Sequence, residues 1–442
     1  MRTVVAKFGG SSLADGAHFK RVKDIILSDP GRRIIVVSAP GKRFPEDRKI
    51  TDMLYDCYEE ARSGRDFHST LEEIKSRFRD IILDLDIDFP LNQEFDILQE
   101  KIESNPNRDY IASRGEYYSS RILAEYLGYT FVDPEWCVCF DENGVPDDAM
   151  TKRAMRAALR PLKNAVIAGF YGADGSGRIH TLPRGGSDVT GSLAACAVGA
   201  DLYENWSDVS GLLAADPSIV DSPRSVEYLS FGELRTLSYM GASVMHTDAV
   251  LPASESGISI NMRNTNDPEN RGTVIVKKLP EGEKKYPVVG VAGRKGISVL
   301  QIEKVMVSDG SGFSAVILDI LSRRNLVFEQ CLTGIDTVTL VIRTDRLDEC
   351  RDELMAEIRE TLNPDYLGLM ENLSMIAVVG ERSTDSSDAN VRVLQSLSDA
   401  GIEISTINQG AGKLNLLIGV PEDKYEQAIR VIYSFIESYS HS

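Results

Sequence analysis

Along residues 1–280, short β-branched runs alternate with amphipathic stretches, the pattern of a mostly parallel sheet covered by helices. Residues 3–8 (TVVAKF) and 33–37 (RIIVV) read as buried strands. Between them, 17–27 carries Phe19, Val22, Ile25 and Ile26 at helical spacing, which predicts a strand-helix-strand unit. A further strand is expected at 165–170. Residues 42–49, charged and holding Pro45, read as a solvated loop, and 66–105 as helical with charged faces, together a lid or flank. KKLPEGEKKYP, residues 277–287, has the composition of a linker. Beyond it, two stretches repeat one plan of strand, polar turn, helix and strand: 297–307, 308–312, 313–324 and 337–343, then 373–379, 380–388, 389–400 and 414–420. Such a repeat is an approximate duplication of a small α/β unit.

Length and composition narrow the function more than the fold. A chain of 442 residues exceeds what one core usually organises, and 42% hydrophobic with 26% charged residues is ordinary globular usage. The formal net charge of -18 argues against nucleic acid and anionic membranes as partners, so an anionic substrate requires a local basic pocket. Of the six cysteines only Cys137 and Cys139 are close together, with no second pair to complete a zinc site; they read as reduced thiols of a cytoplasmic protein. The N-terminus reaches two glycines before any long apolar run, unlike a signal peptide, and no later run is long enough to span a bilayer.

Three motifs carry candidate chemistry. KFGGSS, residues 7–12, sets an exposed Lys7 at a strand end, where two glycines let backbone N–H groups approach phosphate oxygens. A lysine there can neutralise charge developing on a transferring phosphoryl group. LPRGGSDVTGS, residues 182–192, puts Arg184, two glycines, Ser187 and Asp188 before a small-residue helix expected over 193–198. The arginine fork suits a carboxylate. Ser187 or Asp188 would cap that helix in any case, which accounts for neither Arg184 nor the double glycine. SRGE, residues 113–116, reads as the opening of another helix, where Glu116 either complements the dipole or receives an ammonium. The glycines of YGADGSGR, residues 171–178, lack the order of a dinucleotide fingerprint and fit a turn.

KFGGSS, SRGE, RGGSD, NWSDVSG with Ala-Asp-Pro (205–217), GASVMH (241–246), RNT with GT (263–265 and 272–273) and INQG (407–410) stand in the order seen in aspartate kinases, which the chain resembles over essentially its whole length. The resemblance implies an α/β fold: an amino-acid-kinase three-layer sandwich with a mostly parallel central sheet over 1–280, and two ferredoxin-like ACT domains. The first ACT domain, 297–366, would be inserted in a second made of 288–296 and 367–442. The implied activity is transfer of the γ-phosphoryl group of ATP, with Mg2+, to the side-chain carboxylate of L-aspartate, the first step toward lysine, threonine and methionine. A cytoplasmic homodimer joined through its ACT domains and feedback-inhibited by an amino acid is the implied assembly.

Residue roles follow from the same resemblance. Lys7 would contact the transferred phosphoryl group, with Gly9, Gly10 and Ser11 cradling phosphates. Arg184 would hold the α-carboxylate of aspartate and Glu116 its ammonium, while Thr51, Ser187 and Asp188 complete the pocket. Ser207 and the catalytic Asp208 would bind nucleotide and organise the metal-phosphate geometry. Leu213, Ser218 and Ser243 stand on the nucleotide side where many members have Tyr, Arg and Lys, a loss of two cations that puts nucleotide preference in question. In the first ACT-like unit, SDGSGFS (Ser308, Asp309, Gly312, Phe313, Ser314) offers a turn and helix start for an effector carboxylate, and Glu329 a partner for its cation, which favours lysine. GERSTDSSDA, residues 380–389, replaces the more glycine- and proline-containing turn common in the second unit, which fits a dimerisation role without effector. The competing readings are another kinase of the same fold acting on glutamate or a uridylate, or a catalytically weak amino-acid sensor.

Overall fold

The computed structural model describes residues 2–183, 185–242, 245, 247–280, 288–305, 311–380, 389–409 and 414–440. It divides into two units, one of residues 1–212, 225–238 and 243–283, the other of 213–224, 239–242 and 284–442.

In the first unit, β1 (Val4–Phe8), α1 (Gly16–Ser28) and β2 (Arg32–Val37) form the strand-helix-strand unit that the spacing predicts. Then come α2 (Ile50–Arg62), α3 (His68–Leu85), α4 (Leu91–Ser104), α5 (Arg108–Leu127), β3 (Thr130–Val132), α6 (Asp148–Leu159) and β4 (Ala165–Ala168). A hairpin, β5 (Tyr171–Ala173) and β6 (Ile179–Thr181), occupies the YGADGSGR turn and leads to α7 (Gly186–Val198) and β7 (Leu202–Ser207). The remaining elements are β8 (Leu212–Leu213) and α8 (Phe231–Tyr239), whose last residues belong to the second unit, with β9 (Ser225–Val226), β10 (Tyr228–Ser230), α9 (Thr247–Ser256), β11 (Ile260–Asn264) and β12 (Thr273–Val276). β4 ends two residues earlier than its apolar pattern suggests, because Phe170 adopts a φ of 78° and leaves extended backbone.

Among the described residues the main sheet has eight strands in the order β10-β12-β11-β7-β1-β2-β4-β3, parallel except where β11 meets β12. Ala6 and Phe8 of β1 face a core shared with Ile35, Val37, Leu54, Phe78 and Leu123, which α1 to α5 build. Lys7 points to the other face, toward α7. Helices on both faces of a mostly parallel sheet give the three-layer arrangement that the resemblance implies. β1 lies between β2 and β7, so its carboxyl end opens on a crevice where the strand order switches direction, the place where open α/β sheets bind ligands.

Residues 42–49 form the exposed loop expected, with Asp47 as the exception. Asp47 is buried, and the Arg43 and Arg77 guanidiniums beside it hold its carboxyl well below the usual carboxylate range. Buried Arg77 also donates to the carbonyls of Gly41 (2.7 Å) and Arg48 (2.6 Å), tying the loop to α3. Charge along a sequence does not reveal which carboxylate of an exposed loop is buried against its own ion pairs.

The second unit carries one antiparallel sheet built from β13 (Gly290–Glu303), α10 (Ser311–Arg323), β14 (Phe328–Thr333), β15 (Thr337–Arg343), α11 (Thr344–Asp348), α12 (Arg351–Leu362) and β16 (Tyr366–Gly380). Continuing along the chain are α13 (Ala389–Asp399), β17 (Thr406–Gln409), β18 (Leu414–Pro421) and α14 (Tyr425–Ser440). The strand order is β14-β15-β13-β16-β18-β17. β13 and β16 run through both halves: Gly290 to Arg294 pair with Val379 to Met375, and Ile297 to Glu303 with Leu373 to Tyr366, with an irregularity at Arg294/Ile297. One core joins Leu300 and Ile302 to Ile317 and Ile358, the other Val291 and Ile376 to Val393 and Ile432. The duplicated plan of the sequence omitted β14 and β17, each too short and mixed in polarity to stand out.

Candidate active site

The chain leaves β1 through a turn that only glycine allows. A Cβ on Gly10 would fall 2.7 Å from the Ala39 carbonyl oxygen, and one on Gly41 would fall 2.6 Å from the Gly10 carbonyl carbon. The Gly41 N–H donates to the Gly10 carbonyl at 2.7 Å, so the KFGGSS turn and the residues after β2 touch backbone to backbone. Beyond Gly10, a one-turn helix (Gly10–Leu13) leads toward α1, with Ser11 half-buried on it. The buried Ser12 hydroxyl meets that of Thr265 at 2.5 Å, and Thr265 donates to the Ser207 carbonyl at 2.6 Å, linking the glycine turn to the end of β7.

Lys7 is buried, 7% exposed, rather than the exposed strand-end lysine expected. Its Nζ forms an ion pair of 2.5 Å with Asp188 Oδ1 and lies 3.4 Å from where a Cβ on Gly9 would stand. A Cβ at Gly9 would thus stand in van der Waals contact with the ammonium.

Asp188 reaches Lys7 because α7 starts seven residues earlier than expected, at Gly186, with Gly185 as its N-cap at a φ of 81°. Neither Ser187 nor Asp188 caps the helix, and no other side chain does among the described residues. Ser187 instead packs on Gly169, where a Cβ would fall 2.6 Å from the serine Cβ. Freed from capping, the Asp188 carboxylate takes Lys7 and, at 3.2 Å, the Asn205 amide. Arg184 lies outside the described residues.

SRGE lies in the middle of α5, five residues past its start, so helix-dipole complementarity does not explain Glu116. Gly115 lets α5 pass close to the loop after β2, since a Cβ there would meet Ala39 Cβ at 2.7 Å. Glu116 is 5% exposed, and its Oε2 has no hydrogen-bond partner among the described residues. Burial pushes its pKa up to about 8, with the Ala39 backbone N–H and the Lys7 charge pulling against that rise. Gly115→Ala should overpack this contact, at a cost of about 1–3 kcal/mol that outweighs the roughly 1 kcal/mol alanine gains over glycine in a helix. A thermal melt matching the parent would refute the close approach.

The other candidates are placed less centrally. Thr51 is half-buried near the start of α2, where Lys49 is the N-cap. Asp208 is exposed just past the carboxyl end of β7, and the Ser207 hydroxyl accepts from the Val209 N–H at 3.3 Å. Leu213 and Ser218 belong to the second unit, and the Ser218 hydroxyl turns back on Asp216 at 2.7 Å. In the same segment Ala215 and Val220 enter the core beside α14, and Arg430 holds the Ile219 carbonyl at 2.9 Å. Ser243, Ser308 and Asp309, as well as residues 381–388, lie outside the described residues.

Gly312 and Ser314 sit in the first turn of α10, and Phe313 is buried in the core of its half-sheet, so its ring packs inward rather than toward a ligand. Glu329, 10% exposed, forms an ion pair with Arg294 at 3.3 Å; Arg294 also donates to the Tyr239 carbonyl. Two useful neighbours escaped the sequence reading, Asn205 and Ala39. The first lay inside a quoted motif, but the second acts through its backbone and leaves no signal in a single sequence.

Comparison with known proteins gives the family. Residues 2–264 match the amino acid kinase family, and 376–434 an ACT domain. Aspartokinase 3 of Bacillus subtilis (strain 168) is 33% identical over 445 residues, covering 97% of both chains. The crystal structure of Clostridium acetobutylicum aspartate kinase superposes with a TM-score of 0.91 at 40% identity, covering 98% of this chain and 100% of that one. E. coli aspartokinase III has been crystallised with aspartate and ADP (TM-score 0.75) and with lysine and aspartate (0.73), each at 26% identity over 98% of this chain and 99% of that one. With a family match over more than half its length and full-length relatives of one kind, the chain belongs to the amino acid kinase family, among the aspartokinases.

Proposed function

We propose that this kinase transfers the γ-phosphoryl group of ATP to the side-chain carboxylate of L-aspartate, giving 4-phospho-L-aspartate. The observation that carries the reading is Glu116, a buried carboxylate with one oxygen unpartnered among the described residues, in the electrostatic field of Lys7. Nucleotide and acceptor are both anionic and need a cation between them, while the acceptor's ammonium needs a carboxylate. Lys7 supplies the cation, oriented by Asp188, and Glu116 the ammonium site. Arg184 holds the α-carboxylate, and Thr51 and Ser187 line the pocket. Gly9, Gly10 and Ser11 cradle phosphates, and Ser207 and Asp208 stand on the nucleotide side. The aspartate-and-ADP complex of the E. coli relative supports this choice of substrates.

Magnesium held chiefly by phosphates and water needs only one or two protein carboxylates. Asp208, exposed at the end of β7, fits that need; the ion would neutralise phosphate charge. Phosphoryl transfer requires positioning and charge stabilisation, not a protein nucleophile. The test is ADP release by the purified chain with aspartate, glutamate or a uridylate as acceptor. Release that depends on one of the latter two, or none with aspartate, would reject the reading.

The second unit we read as two ACT domains, 297–366 inserted between 288–296 and 367–442, which pair across a homodimer. The lysine complex of the E. coli relative favours lysine as inhibitor. A lysine ammonium reaching Glu329 must displace Arg294. Glu329→Ala is expected to weaken lysine binding at least about tenfold, the value of a charge-assisted hydrogen bond. Calorimetry showing equal affinity would remove Glu329 from the site, and threonine binding in place of lysine would reject the effector.

A further inference from the structure

Asn205 sits on β7 in register with Lys7 on β1, so the two side chains leave neighbouring parallel strands on the same face. It is 7% exposed, and its Nδ2 donates to Asp188 Oδ1 at 3.2 Å. That oxygen is the one Lys7 Nζ approaches at 2.5 Å. The reverse amide orientation would set two oxygens against each other, so chemistry assigns which end faces Asp188. The other end, Oδ1, is buried without a hydrogen-bond partner among the described residues. A buried carbonyl left unpaired is costly, which marks it as an acceptor kept for something that arrives.

A second contact serves as a built-in comparison. Two residues back on the same face, the Tyr203 hydroxyl donates to the Asp188 backbone carbonyl at 3.1 Å. Gly191 makes room for it, since a Cβ there would stand 2.6 Å from that hydroxyl. Tyr203 thus pins the first turn of α7 without touching the carboxylate, whereas Asn205 touches the carboxylate itself.

We propose that Asn205 is a positioning residue for phosphoryl transfer: its amide shares Asp188 Oδ1 with Lys7, so the carboxylate orients the ammonium while leaving more of its charge to the phosphoryl group. Its Oδ1 accepts a second Lys7 N–H as the ammonium turns toward the substrate. The inference rests on the phosphotransferase reading above. The residue type fits the task. Aspartate at 205 would add a second negative charge where a phosphoryl group must approach, and an apolar residue would leave Asp188 to Lys7 alone.

The test compares Asn205→Ala, Asn205→Asp and Tyr203→Phe in the full chain, each first shown to melt cooperatively. For Asn205→Ala, kcat is expected to fall about tenfold to a hundredfold with the KM for aspartate and ATP nearly unchanged, as for a group acting mainly in the transition state. In the absence of substrates, acetylation of Lys7 by acetic anhydride, followed by peptide mass spectrometry, should slow about tenfold as Asp188 grips the ammonium alone. Tyr203→Phe should change neither. For Asn205→Asp, kcat relative to the parent should recover as pH falls and the new carboxyl protonates, a profile that a helix pin cannot produce. If Asn205→Ala fails to fold, the nearly isosteric aspartate variant carries the test. Equal losses in Asn205→Ala and Tyr203→Phe with Lys7 labelling unchanged, or an unaltered kcat in both Asn205 variants, would overturn the proposal. Should the parent release no ADP with aspartate, the phosphotransferase reading falls, and the labelling comparison still decides whether Asn205 shares Asp188 with Lys7.

Discussion

Lys7→Ala is expected to lower kcat at saturating aspartate and ATP by at least about a thousandfold, the upper range for removing one preorganised charge-stabilising group. The ammonium lies at the carboxyl end of β1, where the strand order switches, and no other cation approaches Asp188 among the described ion pairs of that unit. Because Lys7 is buried and paired, the substitution also leaves Asp188 without its cation. Removing one partner of a buried pair costs up to about 3–5 kcal/mol, and less here because the Asp188 side chain keeps 18% exposure. Loss of activity must therefore be separated from loss of fold. Lys7→Ala combined with Asp188→Asn removes both charges, and should recover melting temperature without recovering turnover. A single variant within tenfold of parental kcat would remove Lys7 from the chemistry.

The second large effect concerns Glu116 and has a definite pH signature. With its pKa pushed up to about 8 by burial, the ligand-free carboxyl is mostly protonated at pH 7 and must release that proton to receive an ammonium. The KM for aspartate should then fall toward tenfold per pH unit between about 6 and 8 and level off above about 8. Calorimetry in buffers of different ionisation enthalpy should find close to one proton released on binding aspartate at pH 7. In Glu116→Gln the KM should rise at least about a hundredfold and lose this slope, since a neutral amide replaces the charge.

The stability linkage has the matching sign. The folded-state pKa lies above the ordinary 4.5, so between 4.5 and about 8 the folded protein binds more protons than the unfolded chain. The burial penalty on the charged carboxyl is absent below that window and complete above it. Ligand-free parent should therefore lose stability relative to Glu116→Gln as pH rises from about 5 to 8. A KM for aspartate independent of pH across this range, with no proton released, would exclude Glu116 as the ammonium site.

Local pattern determined much of this protein. The spacing of Phe19, Val22, Ile25 and Ile26 determines a helix at Gly16–Ser28, and the β-branched runs on either side determine β1 and β2, because period and branching act through neighbouring residues. The order of KFGGSS, SRGE and RGGSD likewise identified the family and placed Lys7, Glu116 and Asp188 among the candidates. What these side chains do was decided only when distant segments met. Ser187 and Asp188 look like helix caps in a linear reading, yet Gly185 caps α7 and the Asp188 carboxylate turns to a lysine far away in sequence. Glu116 looks like a dipole-complementing residue until α5 proves to begin five residues earlier and to pass Ala39 at a glycine. Glu329 reads by sequence as a partner for an effector cation and in the fold is paired with Arg294. Burial and pairing depend on partners from other strands and helices, and through desolvation and Coulomb interaction they set the charge each group carries. A single sequence holds the types and spacing of these residues; the distances that turn them into chemistry exist only in the folded chain.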